Sequence, residues 1–436
     1  MVNARFRRFR CLLCAASFAC ALGSPAAAQN ANAPPVPDAR VFEWKIQPLT
    51  ETIARVSQDP RPATADGALQ LVDWLVFGNI ATGAVYDSNV NSTPTHIQGA
   101  YGAQIRPSVI ALRDTGVQRT LIYGIGDIRY YPSLQTTQVV DTTAGLVHRW
   151  EIERDFTYRV QLQGSRGLEA SSLVAPIVST PVKYSKVYGS TAIEKGFDRF
   201  FVGLGTSITS TTYDDTRDSL GNVVDQHFRN GNVFTLNGRV GYHLSPIIYT
   251  FVEPSLNWRR FQNSALNSSG NQVVAGIGSD RISLFNGELY GGIMNQRFES
   301  SAFSTYSGPV YGGRISWYPT RFLTFGVSAD QTLATSDFAV NPMLPGGVVK
   351  NNTEKFTASW DATRKVTFTA GIDYVQTNYF NTGRKDDTRN LKAGVGYMFT
   401  ERFGLTLDFT NSHLRSNIMG ASYSRDFVSV GGKTRF

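Results

Sequence analysis

In the stretch Ala421-Ser422-Tyr423-Ser424-Arg425-Asp426-Phe427-Val428-Ser429-Val430-Gly431-Gly432-Lys433-Thr434-Arg435-Phe436, apolar and polar side chains alternate without a break. Val428, Val430, Gly432, Thr434 and Phe436 share one face of an extended strand; Arg425, Phe427, Ser429, Gly431, Lys433 and Arg435 share the other. One face is apolar, and the opposite one carries three guanidinium or ammonium groups. Such a strand suits a wall with lipid outside and water inside, so the chain is expected to be a membrane β-barrel. Val428, Val430 and Phe436 then form the terminal signal offered to barrel-assembly machinery.

The opposite end is consistent with export. Arg5, Arg7, Arg8 and Arg10 precede an uncharged apolar run from Cys11 to Leu22, and Pro25-Ala26-Ala27-Ala28-Gln29 supplies small residues for cleavage after Ala28. The apolar run is too short to span a bilayer, so residues 1–28 read as a secretory signal peptide. Cleavage removes Cys11, Cys14 and Cys20, and with them any disulfide or cysteine–metal site. Asn30 to Pro37 is rich in Pro, Ala and Asn, and Pro48, Pro60 and Pro62 punctuate the rest of residues 29–73. Residues 29–73 read as a largely irregular periplasmic lead segment, with a plug inside the barrel as the alternative.

Composition narrows the class. Hydrophobic residues are 42%, and no later stretch approaches eighteen consecutive apolar residues, which excludes a helical membrane protein. Yet 27 Phe, 19 Tyr and 40 Gly accompany only 17% charged residues, as expected of a barrel with one wet and one lipid-facing wall. The net charge of +8 falls to about +4 without the four leader arginines, and the basic residues are scattered. Nucleic acid is therefore not an expected partner.

From residue 74 onward, strand-length runs follow one another. Val366, Phe368, Ala370, Ile372 and Tyr374 oppose Lys365, Thr367, Thr369, Gly371 and Asp373. Phe403, Leu405, Leu407 and Phe409 oppose Gly404, Thr406, Asp408 and Thr410. Similar sets are Leu323 to Asp330 and Phe156 to Gln163. A helix would expose half of each apolar set, so strands win. Their alternation persists over roughly 9–11 residues, the length of a tilted membrane strand and longer than a sandwich strand.

The connections alternate in length. Short ones carry a basic residue beside an aromatic or a Thr, as in Glu153-Arg154-Asp155-Phe156, Asp198-Arg199-Phe200, Pro319-Thr320-Arg321-Phe322, Thr363-Arg364-Lys365 and Thr400-Glu401-Arg402-Phe403. Long polar ones are expected at Ala170–Tyr184, Thr216–Asn230, Gln262–Asp280 and Thr335–Thr353. Short periplasmic turns and longer external loops are the asymmetry of an up-and-down barrel. The turn arginines recur about every forty residues, with three units between Arg199 and Arg321, each unit being one hairpin plus its loop. Trp150, Phe156, Phe200, Phe201, Trp317, Tyr318, Phe322, Phe399 and Phe403 beside them are expected to form an interfacial girdle. The fold expected is an all-β, transmembrane antiparallel up-and-down β-barrel over 74–436. About eighteen strands are expected; sixteen is the alternative count, because Arg281–Ser307 holds one strand or two.

Gly83-Ala84-Val85-Tyr86-Asp87-Ser88-Asn89-Val90 resembles the Tyr-Asp-x-Asn signature that opens the Putative beta-barrel porin 2 family. Trp317-Tyr318-Pro319-Thr320 resembles that family's turn, and Tyr423-Ser424-Arg425-Asp426-Phe427 its closing strand. The resemblance covers roughly residues 75–436. It implies a Gram-negative outer-membrane barrel, in contact with lipid and lipopolysaccharide, with a link to exopolysaccharide and its secretion machinery. It carries no catalytic residue.

Lumen-facing positions expected from strand parity are Arg159, Gln161, Gln163, Asp330, Lys365, Asp373, Asp408, Lys433 and Arg435. Both signs occur, so sharp ion selectivity is not expected. His96, His148, His227, His243 and His413 have neither nucleophile settings nor metal-ligand spacing. Asp214, Asp215 and Asp218, and Lys385-Asp386-Asp387, are expected as solvated loop charges. No catalytic, cofactor or metal site is expected. Phe427 is read either as a stacking surface for sugar rings or as lumen filling. The function expected is a porin-like conduit or an exopolysaccharide export barrel; the alternative is a non-conducting barrel acting through its external loops.

Overall fold

A computed structural model describes residues 69–134, 138–169, 181–217, 221–279, 284–320, 322–336, 347–380 and 382–435. The stretch expected as a signal peptide, most of the one expected as a lead segment, Arg321 and Phe436 lie outside the described residues. Eighteen antiparallel strands form a closed barrel. They are β1 (Trp74–Asp87), β2 (Ala100–Asp114), β3 (Gln118–Tyr130), β4 (Gln138–Glu153), β5 (Phe156–Glu169) and β6 (Val182–Phe197). The middle third is β7 (Phe200–Tyr213), β8 (Gly231–His243), β9 (Tyr249–Phe261), β10 (Ser268–Ser279), β11 (Phe285–Phe298) and β12 (Tyr306–Thr320). The last third is β13 (Leu323–Ser336), β14 (Gly347–Asp361), β15 (Val366–Tyr379), β16 (Lys385–Met398), β17 (Phe403–Ser416) and β18 (Tyr423–Arg435). Each strand pairs with its sequence neighbour, and β1 pairs with β18 from Asn79↔Arg435 to Asp87↔Phe427.

Alternation sorts the two faces. Along β17, Phe403, Leu405, Leu407 and Phe409 are each 41–59% exposed, while Gly404, Thr406, Asp408 and Thr410 are buried. In water such a surface would aggregate; against acyl chains it is matched. The same parity places Val428 and Val430 outside and Arg425, Phe427, Ser429 and Lys433 inside. At the interface, Trp150, Phe200, Trp317, Phe322, Phe399 and Phe403 face outward. Phe201 and Tyr318 do not, because each follows an outward residue by one position and parity turns it into the barrel.

Several loop boundaries differ from expectation. Ser268–Ser279, within the stretch expected as a loop, is a full strand pairing with β9 and β11. Its Ser, Gly and Asn content reads as loop by composition, whereas ladder bonds on both sides override that weak propensity. Val182–Tyr184 and Gly347–Thr353 are likewise strand, as is Thr335. Lys385-Asp386-Asp387 opens β16 instead of lying in a loop. Arg281–Ser307 contains one complete strand, β11, and the start of β12, which settles the count. Leu69–Leu71 forms a small hairpin with the first residues of β1.

One seam is incomplete. β12 and β13 pair from Gly312↔Asp330 to Trp317↔Phe325 and again at Thr320↔Leu323. Above Gly312, Tyr306–Tyr311 pairs with β11 alone among the described residues.

Candidate functional site in the barrel lumen

The expected lumen positions distribute unevenly. Arg159, Gln161 and Gln163 sit on the less exposed face of β5, with Leu162 between them 55% exposed on the opposite face. Arg159 donates to Glu194 at 3.4 Å, and the Tyr123 hydroxyl donates to Gln163 at 3.0 Å. Asp408 accepts from Arg106 at 2.9 Å, and Asp373 accepts from Lys392. Tyr290 donates to Asp330 at 3.5 Å. Lys433 is buried and Arg435 half-buried on β18. Lys365 is exposed in the turn ahead of β15 and lines no wall. Its backbone N–H and that of Val366 both donate to Thr363 Oγ1, at 3.1 and 3.0 Å, so parity begins only at Val366.

Three further charge networks were not singled out from sequence. The first joins Arg239 on β8 to Glu253 on β9 and Glu288 on β11, at 2.7 Å to Glu253 Oε2 and 2.9 Å to Glu288 Oε2. Tyr249 adds its hydroxyl to Glu288 at 3.0 Å, and the guanidinium lies 4.1 Å from the Phe251 ring centroid. All three charged groups are buried, so each carboxylate depends on this arginine. Strand parity alone puts all three on the inner face, which was the available signal.

The second network lies on β3 and β4. Arg129, fully buried, donates to Asp127 at 3.2 and 3.1 Å and lies 3.7 Å from Asp141. Its guanidinium also covers the Phe427 ring at 5.0 Å. Phe427 is 2% exposed and packs with Val85, Val90, Tyr131, Val139 and Leu168. It therefore fills the lumen wall and offers no face for stacking.

The third network contains the signature residues. Asp87 accepts from Arg425 Nε at 2.9 Å, from a second Arg425 nitrogen, from Tyr131 at 3.2 Å and from the Asn89 backbone at 3.1 Å. Asn89 Nδ2 donates to the Thr93 and Ser424 carbonyls at 2.8 and 3.2 Å. Thus Asp87 and Asn89 tie β1 to β18 and to the β1–β2 loop. Burial pushes the Tyr131 phenol, just beyond the end of β3, up to about 12.

At the external mouth, Arg384 and Asp386 form a fully buried pair at 2.7 Å, with the Tyr379 hydroxyl 3.0 Å from Asp386. This charge is an internal tie and not a solvated one. Asp215, Asp225 and His227 bring ligand atoms within 4.8 Å of one another before β8, all exposed. Three ligands fall short of a calcium shell or a closed tetrahedral site. His243 packs against Phe201 and Tyr249 at 5.3 and 5.9 Å between centroids, inside the barrel.

Comparison with solved structures returns outer-membrane barrels. The FrpB iron transporter of Neisseria meningitidis is 10% identical, with 86% of this chain and 84% of that chain covered and a TM-score of 0.42. The siderophore receptor PirA of Pseudomonas aeruginosa is 9% identical, covering 83% and 80%, with a TM-score of 0.38. The anion-selective porin of Comamonas acidovorans is 12% identical, covering 83% and 99%, with a TM-score of 0.34. No curated protein matches the chain. The family described as Putative beta-barrel porin 2 matches over residues 62–436, nearly all of the chain, and spans both the Asp87–Asn89 signature and the closing strand. The chain is a porin-like outer-membrane β-barrel and belongs to the Putative beta-barrel porin 2 family.

Proposed function

We propose that the barrel is a passive conduit for hydrophilic solutes across the outer membrane. The observation that carries this reading is the inner wall. It presents charged pairs of both signs on separate arcs, Arg106–Asp408, Lys392–Asp373 and Arg239 with Glu253 and Glu288. A wall that needed only to be filled would be served by apolar side chains, since buried ion pairs add little stability over them. Mixed signs favour a broad hydrophilic cargo over a single ion. Family membership supports, as a finer reading, a role beside exopolysaccharide export. Residues 1–28 would direct secretion, assembly machinery would insert the barrel, and lipopolysaccharide would cover its outer rim. Purified full-length protein in planar bilayers should give steady single-channel openings. A barrel that inserts, shown by a heat-modifiable gel shift, yet stays silent overturns the conduit and leaves the non-conducting alternative.

A further inference from the structure

The unpaired stretch of β12 faces a segment of equal length. Continuing the β12–β13 register beyond Gly312↔Asp330 would pair Tyr311 with Gln331, Val310 with Thr332, Ser307 with Thr335 and Tyr306 with Ser336. Those are the first residue of β12 and the last of β13. The ladder is therefore interrupted between two strands that are already long enough to complete it.

Instead, the external half of β13 bends inward. Val327 is 51% exposed on the outer face, whereas Leu333, on the same face by parity, is 2% exposed. Leu333 packs with Tyr290, Met294 and Val310, whose parity points them into the barrel. The paired segment of β14 follows it: Val348 is buried with Leu266, Phe298 and Phe303. Arg259 on β9 reaches across and donates to the Leu333 carbonyl at 2.7 Å. The divergence begins beside Gly313, whose φ of +154° only glycine adopts readily, and where a Cβ would meet the Glu288 carbonyl at 2.4 Å.

We propose that the external halves of β13 and β14 form a switchable flap with two seats. In the seat observed, Gln331–Ser336 and its β14 partner are tucked inside the wall and cover part of the external mouth. In the other seat, Gln331–Ser336 zips onto Tyr306–Tyr311, the flap lies flush with the wall and the mouth widens. Each seat gives up something. The tucked seat buries Leu333 and Val348 but leaves Gln331 Oε1 buried without a hydrogen-bond partner among the described residues. The zipped seat completes the ladder, yet Pro309 has no N–H to contribute to it. Opposed terms of this kind suit a bistable element.

The test is a disulfide across the zipped seat. Ser307→Cys with Thr335→Cys, in full-length protein in outer-membrane fractions, should cross-link on mild oxidation and shift mobility on gels. Adding Arg259→Gln, which removes the hold on Leu333, should raise the yield several-fold. Cross-linked barrels should conduct more than reduced ones. Absence of the cross-link while both thiols react with a maleimide overturns the flap, as does a yield indifferent to Arg259→Gln. The conductance arm rests on the conduit reading and the cross-link arm does not, so a barrel that cross-links but never conducts supports the flap and overturns the conduit. If the double-cysteine chain fails to assemble, Arg259→Gln alone decides. Faster amide exchange across Gln331–Ser336 supports the flap, and unchanged exchange overturns it.

Discussion

Asp87 in the first barrel strand and Arg425 in the last form a buried two-point ion pair across the seam where the barrel closes. Asp87 is 0% exposed and Arg425 3%, so neither charge has water to fall back on. Removing one partner strands the other. Arg425→Ala or Asp87→Ala should each cost about 3–5 kcal/mol. The double variant Asp87→Asn/Arg425→Gln should cost less than the sum of its singles. Urea unfolding in detergent, followed by the heat-modifiable gel shift, reads both effects.

Arg239 answers to two carboxylates instead of one. Arg239→Ala should destabilise by about 3–5 kcal/mol, because the buried Glu253 and Glu288 both lose the cation they share. Adding Glu253→Gln and Glu288→Gln to it should recover much of that loss. Unfolding midpoints of the single and triple variants check the prediction.

Tyr131 gives the barrel an alkaline weakness. Its phenol ordinarily titrates near 10, and in the fold it is pushed up to about 12 by burial. Below pH 10 it is neutral whether folded or unfolded, and its contribution is intact. Between about pH 10 and 12 the unfolded chain loses the proton first, so stability falls as pH rises. Tyr131→Phe should flatten this decline while losing about 1 kcal/mol at neutral pH with the hydrogen bond to Asp87. Unfolding midpoints across that pH range decide it.

Neighbouring residues on β5 should respond oppositely to the same charge. Leu162 lies mid-strand on the outer face, and Leu162→Arg should cost about 2–4 kcal/mol in lipid. Gln161 points the other way, and Gln161→Arg should change stability by less than about 1 kcal/mol. Folding yields into vesicles as a function of urea compare the two.

Much of this architecture was legible because period-two alternation is enforced by lipid on one side and water on the other. Phe403 to Thr410 could be assigned to faces residue by residue, and the turns at Arg154, Arg199, Arg364 and Arg402 fell where short links occur. Legibility failed where a strand lacked that contrast. Ser268–Ser279 is rich in small polar residues on both faces, so nothing local marked it as wall. Lys365 continues the alternation of β15 in sequence but sits in the turn before it, where strand parity no longer applies. The ion networks were hidden for a different reason. Arg239, Glu253 and Glu288 lie on β8, β9 and β11, and parity alone gives their common face but not the register and stagger that set them at one height. Asp87 and Arg425 both lie in motif stretches of the sequence, yet their contact depends on which strands meet at the seam.

The pairing of Asp87 with Phe427 has a kinetic side as well. The Arg425–Asp87 contact spans 338 residues of chain, and the rungs of the β1–β18 seam beside it span as much, whereas the other seams join strands consecutive in sequence. Loop-closure entropy makes so distant a contact slow to form. The nascent wall must therefore survive as an open sheet with two raw edges until its two ends find each other. Shielding those edges from other chains is then as much a condition for this protein's existence as any bond in the finished ring.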